Sequence, residues 1–293
     1  MWISNAKFYN QSHFMKRTTF ILSLFLIISY QGFSQGKLQK AEKSLSKSSS
    51  HNSRNNSRSE SRNSGYSSDN DNYLLTELAV VFGEIILYAT YYGLIETPAE
   101  YDRRASNAFI TKHPYHSSKK GNYSYEWGDD TEIFRTTLTN RVIIENNQLY
   151  GNHLNADFRF LKRVGVEADY LQLWEDKTFF GANSLALFTV LAKYHRIRTE
   201  RFNAYWGLGA TYVAGEVEEF GFTYGIGAEL FFAKPLSLEA NFNQAFINSS
   251  SVDKVNVLLN YHMDRFKVSG GYEHLKIGSV DFSTFSAGIG ISL

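Results

Sequence analysis

The chain has 293 residues, 43% of them hydrophobic, a formal net charge of +1 at pH 7 and no cysteine. A helical membrane protein would be oilier, and a nucleic-acid partner would call for a basic excess. The missing cysteines exclude disulfides, thiolate metal sites and lipid attachment through an N-terminal cysteine.

An aromatic share of 16%, with 19 Tyr and 23 Phe against 3 Pro, favours strands. Residues 1–14 carry no pattern and read as a misassigned start, because the basic Met15-Lys16-Arg17 and the apolar run Phe20 to Tyr30 follow them. That order is a secretory signal peptide over 15–34, with Gly32 and Ser34 at the two small positions and Gln35 as the first mature residue. The run is too short for a membrane anchor, which needs roughly 20 apolar residues. Residues 35–72 are dominated by Ser, Asn, Lys and Arg, so a disordered linker is expected.

Residues 73–95 are apolar but carry Glu77 and Glu84, seven positions apart and so on one helical face, with Asp71 or Asn72 as N-cap. Two central acids are costly in lipid, so an amphipathic helix at the periplasmic interface or barrel mouth is expected, ending near Gly93. Its acidic face would offer a contact for a periplasmic protein. The alternative is a pair of strands broken at Gly83. Residues 96–131 read as an irregular periplasmic or plug segment. The His113-Pro114-Tyr115-His116 spacing there could hold a metal. With no helix, third ligand or nearby acid evident, it reads as a solvated loop pair.

From 132 to 293 the chain alternates with a period of two. Between Phe202 and Phe232, one set (Phe202, Ala204, Trp206, Leu208; then Phe220, Phe222, Ile226, Leu230) is oily, and the other is mostly Gly, Asn, Thr and Glu229. Ten strands are expected, at Ile133–Ile144, Tyr150–Leu161, Val164–Trp174, Ser184–Ile197, Phe202–Ala214, Phe220–Ala233, Leu236–Phe246, Val252–Met263, Phe266–Leu275 and Asp281–Leu293. The fold class is all-β, an antiparallel up-and-down transmembrane barrel with the oily set in lipid and eight strands as the alternative count. A soluble lipocalin-like barrel would turn its oily face inward.

The leader, the alternating strands and a last strand ending at the terminus on an apolar residue make the chain similar to small outer-membrane β-barrel proteins of Gram-negative bacteria. The resemblance covers 131–293. It implies an outer-membrane location, outer-membrane lipid and the barrel-assembly machinery as partners, and a range of roles from anchors and channels to adhesins and a few lipid- or peptide-cleaving enzymes. Members typically end on an aromatic residue; this chain ends on Leu293, with Phe285 further in.

Exported from the N-terminal side, such a barrel places the turns at 162–163, 198–201, 234–235 and 264–265 in the periplasm, and the short turns at 145–149, 175–181, 215–219, 248–251 and 276–279 outside. Inward positions carry Arg135, Arg141, Arg159, Lys193 and Lys267 against Asp157, Glu167, Asp169, Glu229, Glu239 and Glu273. Balanced signs suit a bore filled by ion pairs better than a selective pore. A three-residue turn in the hairpin around Lys162 and Arg163 would set Arg159 opposite Glu167 and Asp157 opposite Asp169, with Arg135 as the nearest cation, giving a structural network of Arg135, Asp157, Asp169, Arg159 and Glu167. His153, His195 and His262 point inward on separated strands and read as hydrogen-bonded lumen residues. No cofactor, metal site or nucleophile with its base is expected. The leading function is a non-catalytic scaffold or interaction protein, ahead of a narrow solute channel and a lipid-modifying enzyme.

Overall fold

The computed structural model describes residues 36–46, 90–95, 107–176 and 182–293. The expected leader, Glu77 and Glu84 lie outside the described residues. Helix α1 (Lys37–Leu45) comes first, then a helical turn over residues 90–94. A small sheet follows, made of β1 (Phe109–Thr111), β2 (Tyr123–Ser124) and β3 (Thr131–Glu132). Ten strands complete the chain: β4 (Phe134–Ile144), β5 (Leu149–Phe160), β6 (Val164–Asp176), β7 (Ala182–Arg198), β8 (Phe202–Ala214), β9 (Glu219–Ala233), β10 (Leu236–Ile247), β11 (Ser250–Met263), β12 (Phe266–Ile277) and β13 (Val280–Ser292).

These ten strands form one closed barrel in which each pairs antiparallel with its sequence neighbours, and β13 returns to β4 with Ile291 opposite Leu138. Each expected span ends within two residues of the strand observed. The shortest strand has 11 residues and the longest 17. At about 3.3 Å per residue and a tilt near 40°, a 12-residue strand climbs about 30 Å, the thickness of a bilayer's hydrocarbon.

The pleat sorts the side chains. On β9, Phe220, Phe222, Ile226, Leu230 and Phe232 stand exposed on the outer wall, while Gly221, Thr223, Gly225, Gly227 and Glu229 turn in. Gly227 makes room inside, because a Cβ there would fall 2.5 Å from the Tyr205 ring. Outer aromatic rings pair across neighbouring strands towards both ends, Tyr150 with Trp174 and Tyr212 with Phe220 near one mouth, Tyr194 with Trp206 near the other. Rings so placed match the two interfacial girdles of membrane barrels. Among the described residues no helix is long and apolar enough to cross a membrane.

The bore has two layers, which corrects the expectation of a polar interior throughout. At the mouth ringed by the turns after β4, β6, β8, β10 and β12, inward Leu149, Leu173, Leu185, Val213, Ile247 and Phe282 form an apolar core around α1. Residues 37–45, expected as part of the disordered linker, are therefore a buried cap. Leu38, Ala41, Glu42 and Leu45 fall at i, i+3, i+4 and i+7, one stripe of a helix, and that stripe is the buried face. At the opposite mouth the β1–β3 sheet sits over the bore, in a segment expected to be irregular.

The turn over residues 90–94 lies against the outer wall. Arg196 donates to the carbonyls of Tyr92 (2.7 Å) and Gly93 (3.0 Å), and the Trp206 indole N–H to that of Leu94 (3.0 Å). Those donors satisfy carbonyls that a helix C-terminus leaves unpaired, with a cation at the negative end of the helix dipole.

Candidate functional site, a charged bore closed at both ends

Between the two closures the inward charges gather into clusters, and the β5–β6 hairpin sets the first. Its turn is Leu161 to Arg163, with Leu161 at φ 59°, so Phe160 pairs with Val164. Asp157 consequently faces Glu167, and Arg159 faces Gly165. The register expected from sequence was two residues off, because the chain enters its left-handed turn residue at Leu161, directly after β5.

Two carboxylates still oppose each other, and the cation between them is Lys193 of β7 rather than Arg135. Its Nζ lies 2.5 Å from Asp157 Oδ1 and 2.9 Å from Glu167 Oε2, while Arg159 Nε reaches Asp157 Oδ2 at 2.7 Å. The Lys193 ammonium also sits 4.1 Å from the centre of the Tyr205 ring. Two cations against two carboxylates leave this cluster neutral, the condition under which buried charge is tolerated.

Asp169 belongs to a second cluster, nearer α1. His153, wholly buried, bridges Asp169 Oδ2 at 2.6 Å through Nε2 and Glu273 Oε2 at 2.5 Å through Nδ1. Arg141 Nε meets Glu273 Oε1 at 2.7 Å, and Lys254 pairs with Asp169. Lys254 was absent from the sequence reading. It lies on β11, where Val257, Leu258 and Leu259 make both faces look apolar.

Arg135 works elsewhere, since its guanidinium donates to Thr111 O at 3.0 Å and Asn122 Oδ1 at 2.6 Å, both on the plug. Asn122 then donates to Glu229 Oε2 at 2.6 Å. Glu239 accepts from Asn241 (2.8 Å) and Asn260 (3.0 Å), with Lys267 at 3.7 Å. The single network expected from sequence is thus a set of small clusters, with Arg135 and Glu229 fastening the plug. A cavity of about 50 Å³ remains among them, lined by residues including Arg135, Asp157, Glu167 and Glu239. At roughly 10–15 Å³ per enclosed water, it holds a few molecules.

With an apolar wall outside, neutralised charges inside and a closed ladder of ten strands, the polarity is that of a protein whose solvent is lipid. The fold is that of a small outer-membrane β-barrel. Solved structures to which the chain is similar at low identity include an outer membrane channel from Pseudomonas putida F1 (8% identity, 57% of this chain and 99% of that one, TM-score 0.37) and the outer membrane protein OprG from Pseudomonas aeruginosa (12%, 55% and 95%, 0.30). Ail from Yersinia pestis is a third (14%, 54% and 99%, 0.31). No protein-family model and no curated protein matches the chain.

The barrel contains two serine–histidine contacts among the described residues. On the outer wall His274 Nδ1 lies 3.4 Å from Ser283 Oγ and its Nε2 3.5 Å from Asp281 Oδ1, a long contact in which Ser283 also accepts from the Tyr272 hydroxyl at 3.0 Å. The other is in the bore. Ser237 Oγ lies 2.8 Å from His262 Nε2 and donates to Glu229 Oε1 at 2.8 Å. A hydrolytic triad needs the acid on the far ring nitrogen of a histidine that accepts the serine proton. Here the acid takes the serine proton itself, Ser237 is wholly buried, and the Tyr115 ring packs 5.6 Å from that of His262. His195 bonds Asn203 at 3.1 Å, and no hydroxyl is among its hydrogen-bond partners.

The cap end is built from polar clamps around an oily centre. Both Glu175 oxygens take the first amides of α1, Lys37 Nζ reaches Glu145 Oε1 at 2.8 Å, and Glu42 Oε1 accepts the Glu216 N–H at 2.9 Å. At the other end of the helix Ser250 and Asn248 donate to the carbonyls of Ser44 (2.6 Å) and Leu45 (2.8 Å).

Proposed function

We propose that this barrel resides in the bacterial outer membrane as a closed, non-catalytic scaffold or interaction protein. The observation that carries the reading is the double closure, α1 in one mouth and the β1–β3 plug in the other, with neutral ion clusters between them. A route for solute would have to pass both closures, and the buried Ser237 offers no reacting atom to a lipid; the outer-wall Ser283, 3.4 Å from His274, is the hydroxyl that the lipid A comparison tests. Export from the N-terminal side puts the plug at the periplasmic mouth, within reach of the assembly machinery and of a periplasmic partner on the 73–95 segment, and α1 at the outer mouth.

The test is conductance of the purified mature protein in planar bilayers. Silence is expected over long recordings, and stable unitary steps from the wild type would favour the channel reading. Lipid A mass spectra from cells with and without the protein should be identical; a changed acyl pattern would revive the enzymatic reading.

A second reading, a gated channel, is favoured by one feature. The α1 cap is held by side-chain hydrogen bonds and a small apolar face, and it is not a strand of the wall. A variant with Leu38→Asp and Leu45→Asp that conducts where the wild type is silent would support it.

A further inference from the structure

The HxxH pair gains in the fold what its sequence lacked. We propose that His113, His116 and Asp264 bind a divalent transition-metal ion of the zinc class, joining the plug to the β11–β12 turn. Two residues come from the loop after β1 and the third from the far side of the barrel sequence, so the spacing along the chain could not reveal the set. Their donor atoms all lie within 4.8 Å of one another.

His113 Nε2 stands 3.0 Å from Asp264 Oδ1, while its Nδ1 lies 3.2 Å from Pro114 O. A carbonyl only accepts, so Nδ1 carries the proton and Nε2 presents its lone pair to a carboxylate oxygen. Two acceptors at that distance need a cation or a second ring proton between them. Tetrahedral zinc with bonds near 2.0–2.1 Å sets its ligand atoms about 3.3 Å apart; His113 and Asp264 stand near that spacing at 3.0 Å, and His116, within the 4.8 Å span of the set, would draw in on binding. The His116 ring packs edge-on to His113 with centroids 4.4 Å apart. Asp130 Oδ1 lies 3.3 Å from His116 Nε2 and accepts from Ser117 Oγ at 3.1 Å, the outer carboxylate that orients a metal-bound imidazole. Asp264, at φ 56°, occupies a left-handed turn position that aspartate tolerates, and its side chain is otherwise exposed.

The three donors border a cavity of about 480 Å³, where water can complete the coordination. Two imidazoles and one carboxylate suit zinc, nickel or copper better than calcium or magnesium, which take oxygen ligands. A bound ion would tie the plug to the wall independently of the Arg135 contacts.

The experiment uses the mature chain folded in detergent micelles, stripped with EDTA and dialysed against Zn²⁺ alone. One Zn²⁺ per chain is expected for the wild type, and Co²⁺ should give the visible bands of a tetrahedral site. H113A, H116A and D264N should each weaken binding by at least about tenfold. H274A, at a half-buried outer-wall histidine 3.5 Å from Asp281, should leave it unchanged. Heat-modified mobility on gels confirms folding of every variant, and Zn²⁺ should slow proteolysis across residues 117–121 in the wild type only. A folded wild type that takes up no Zn²⁺, or variants that bind as the wild type does, would leave a plain histidine–carboxylate pair and overturn the proposal.

Discussion

Glu175 Oε2 accepts the backbone N–H of Leu38 at 3.1 Å across 137 positions of chain, and Oε1 accepts that of Lys37 at 3.0 Å. Gly36 at the N-cap provides no side-chain bond, so a wall residue replaces the cap that the helix's own sequence omits. A carboxylate there also meets the positive end of the helix dipole. Glu175→Ala should loosen α1 by about 1 kcal/mol, roughly fivefold faster amide hydrogen exchange over 37–45. Lys43→Ala, on the exposed face, is the control; equal exchange in both variants would show that Glu175 contributes nothing to docking.

Docking of α1 should respond to acid through Glu42. Burial, its first cause, raises the Glu42 carboxyl above the ordinary glutamate value, partly offset by the Glu216 amide that bonds the charged form. An acid with a raised value in the docked state binds its proton more tightly there. Docking is therefore strongest below the free glutamate pKa near 4.3, weakens as pH rises through the raised value, and then levels off. Glu42→Gln keeps an oxygen for the Glu216 amide and removes the charge, so its protection factors, with the intrinsic base-catalysed rise of exchange divided out, should stay flat with pH and match or exceed the wild type's at pH 7. A wild type equally insensitive to pH would remove Glu42 from the account. Gly215→Ala should push the Glu42 carboxylate off the Glu216 amide, since its Cβ would collide with Glu42 Oε1, and so blunt the pH response.

Among the described residues, Lys193 is the cation that bridges Asp157 and Glu167. Lys193→Met leaves two facing carboxylates with Arg159 alone, a loss of roughly 3–5 kcal/mol by analogy with broken buried pairs. Thermal unfolding in micelles, read on heat-modifiability gels, should fall accordingly, and Lys193→Met with Glu167→Gln should recover part of it. Strictly additive losses would mean that the two side chains do not couple.

Ile226, in the middle of β9, is exposed on the outer wall. If lipid bathes that wall, Ile226→Arg costs about 2–4 kcal/mol of folding stability in vesicles. On a wall facing water the same change would stay within about 0.5 kcal/mol, and that result would sink the membrane assignment.

The ten strands were legible because lipid and bore impose opposite chemistry on alternate residues, so Phe220 to Phe232 announces itself. Register was less so. Placing Asp157 against Glu167 depends on Leu161 entering a left-handed conformation, a choice of turn that composition leaves open. The cap escaped notice for a different reason: three apolar residues, Leu38, Ala41 and Leu45, are all a nine-residue helix needs when a barrel mouth supplies the rest of the core. In a window full of Lys and Ser they vanish into the average. The clustering of His113 with Asp264 could be seen only once the hairpin turn was closed beneath the plug.

The two closures belong to one continuous polypeptide, α1 at one mouth and β1–β3 at the other, with residues 90–95 resting on the outside wall between them in sequence. A helix dislodged from its seat therefore stays covalently joined to the barrel, and its return is an intramolecular event. Any partner that draws α1 out must outcompete that standing supply of its own lid, and letting go is enough to shut the barrel again.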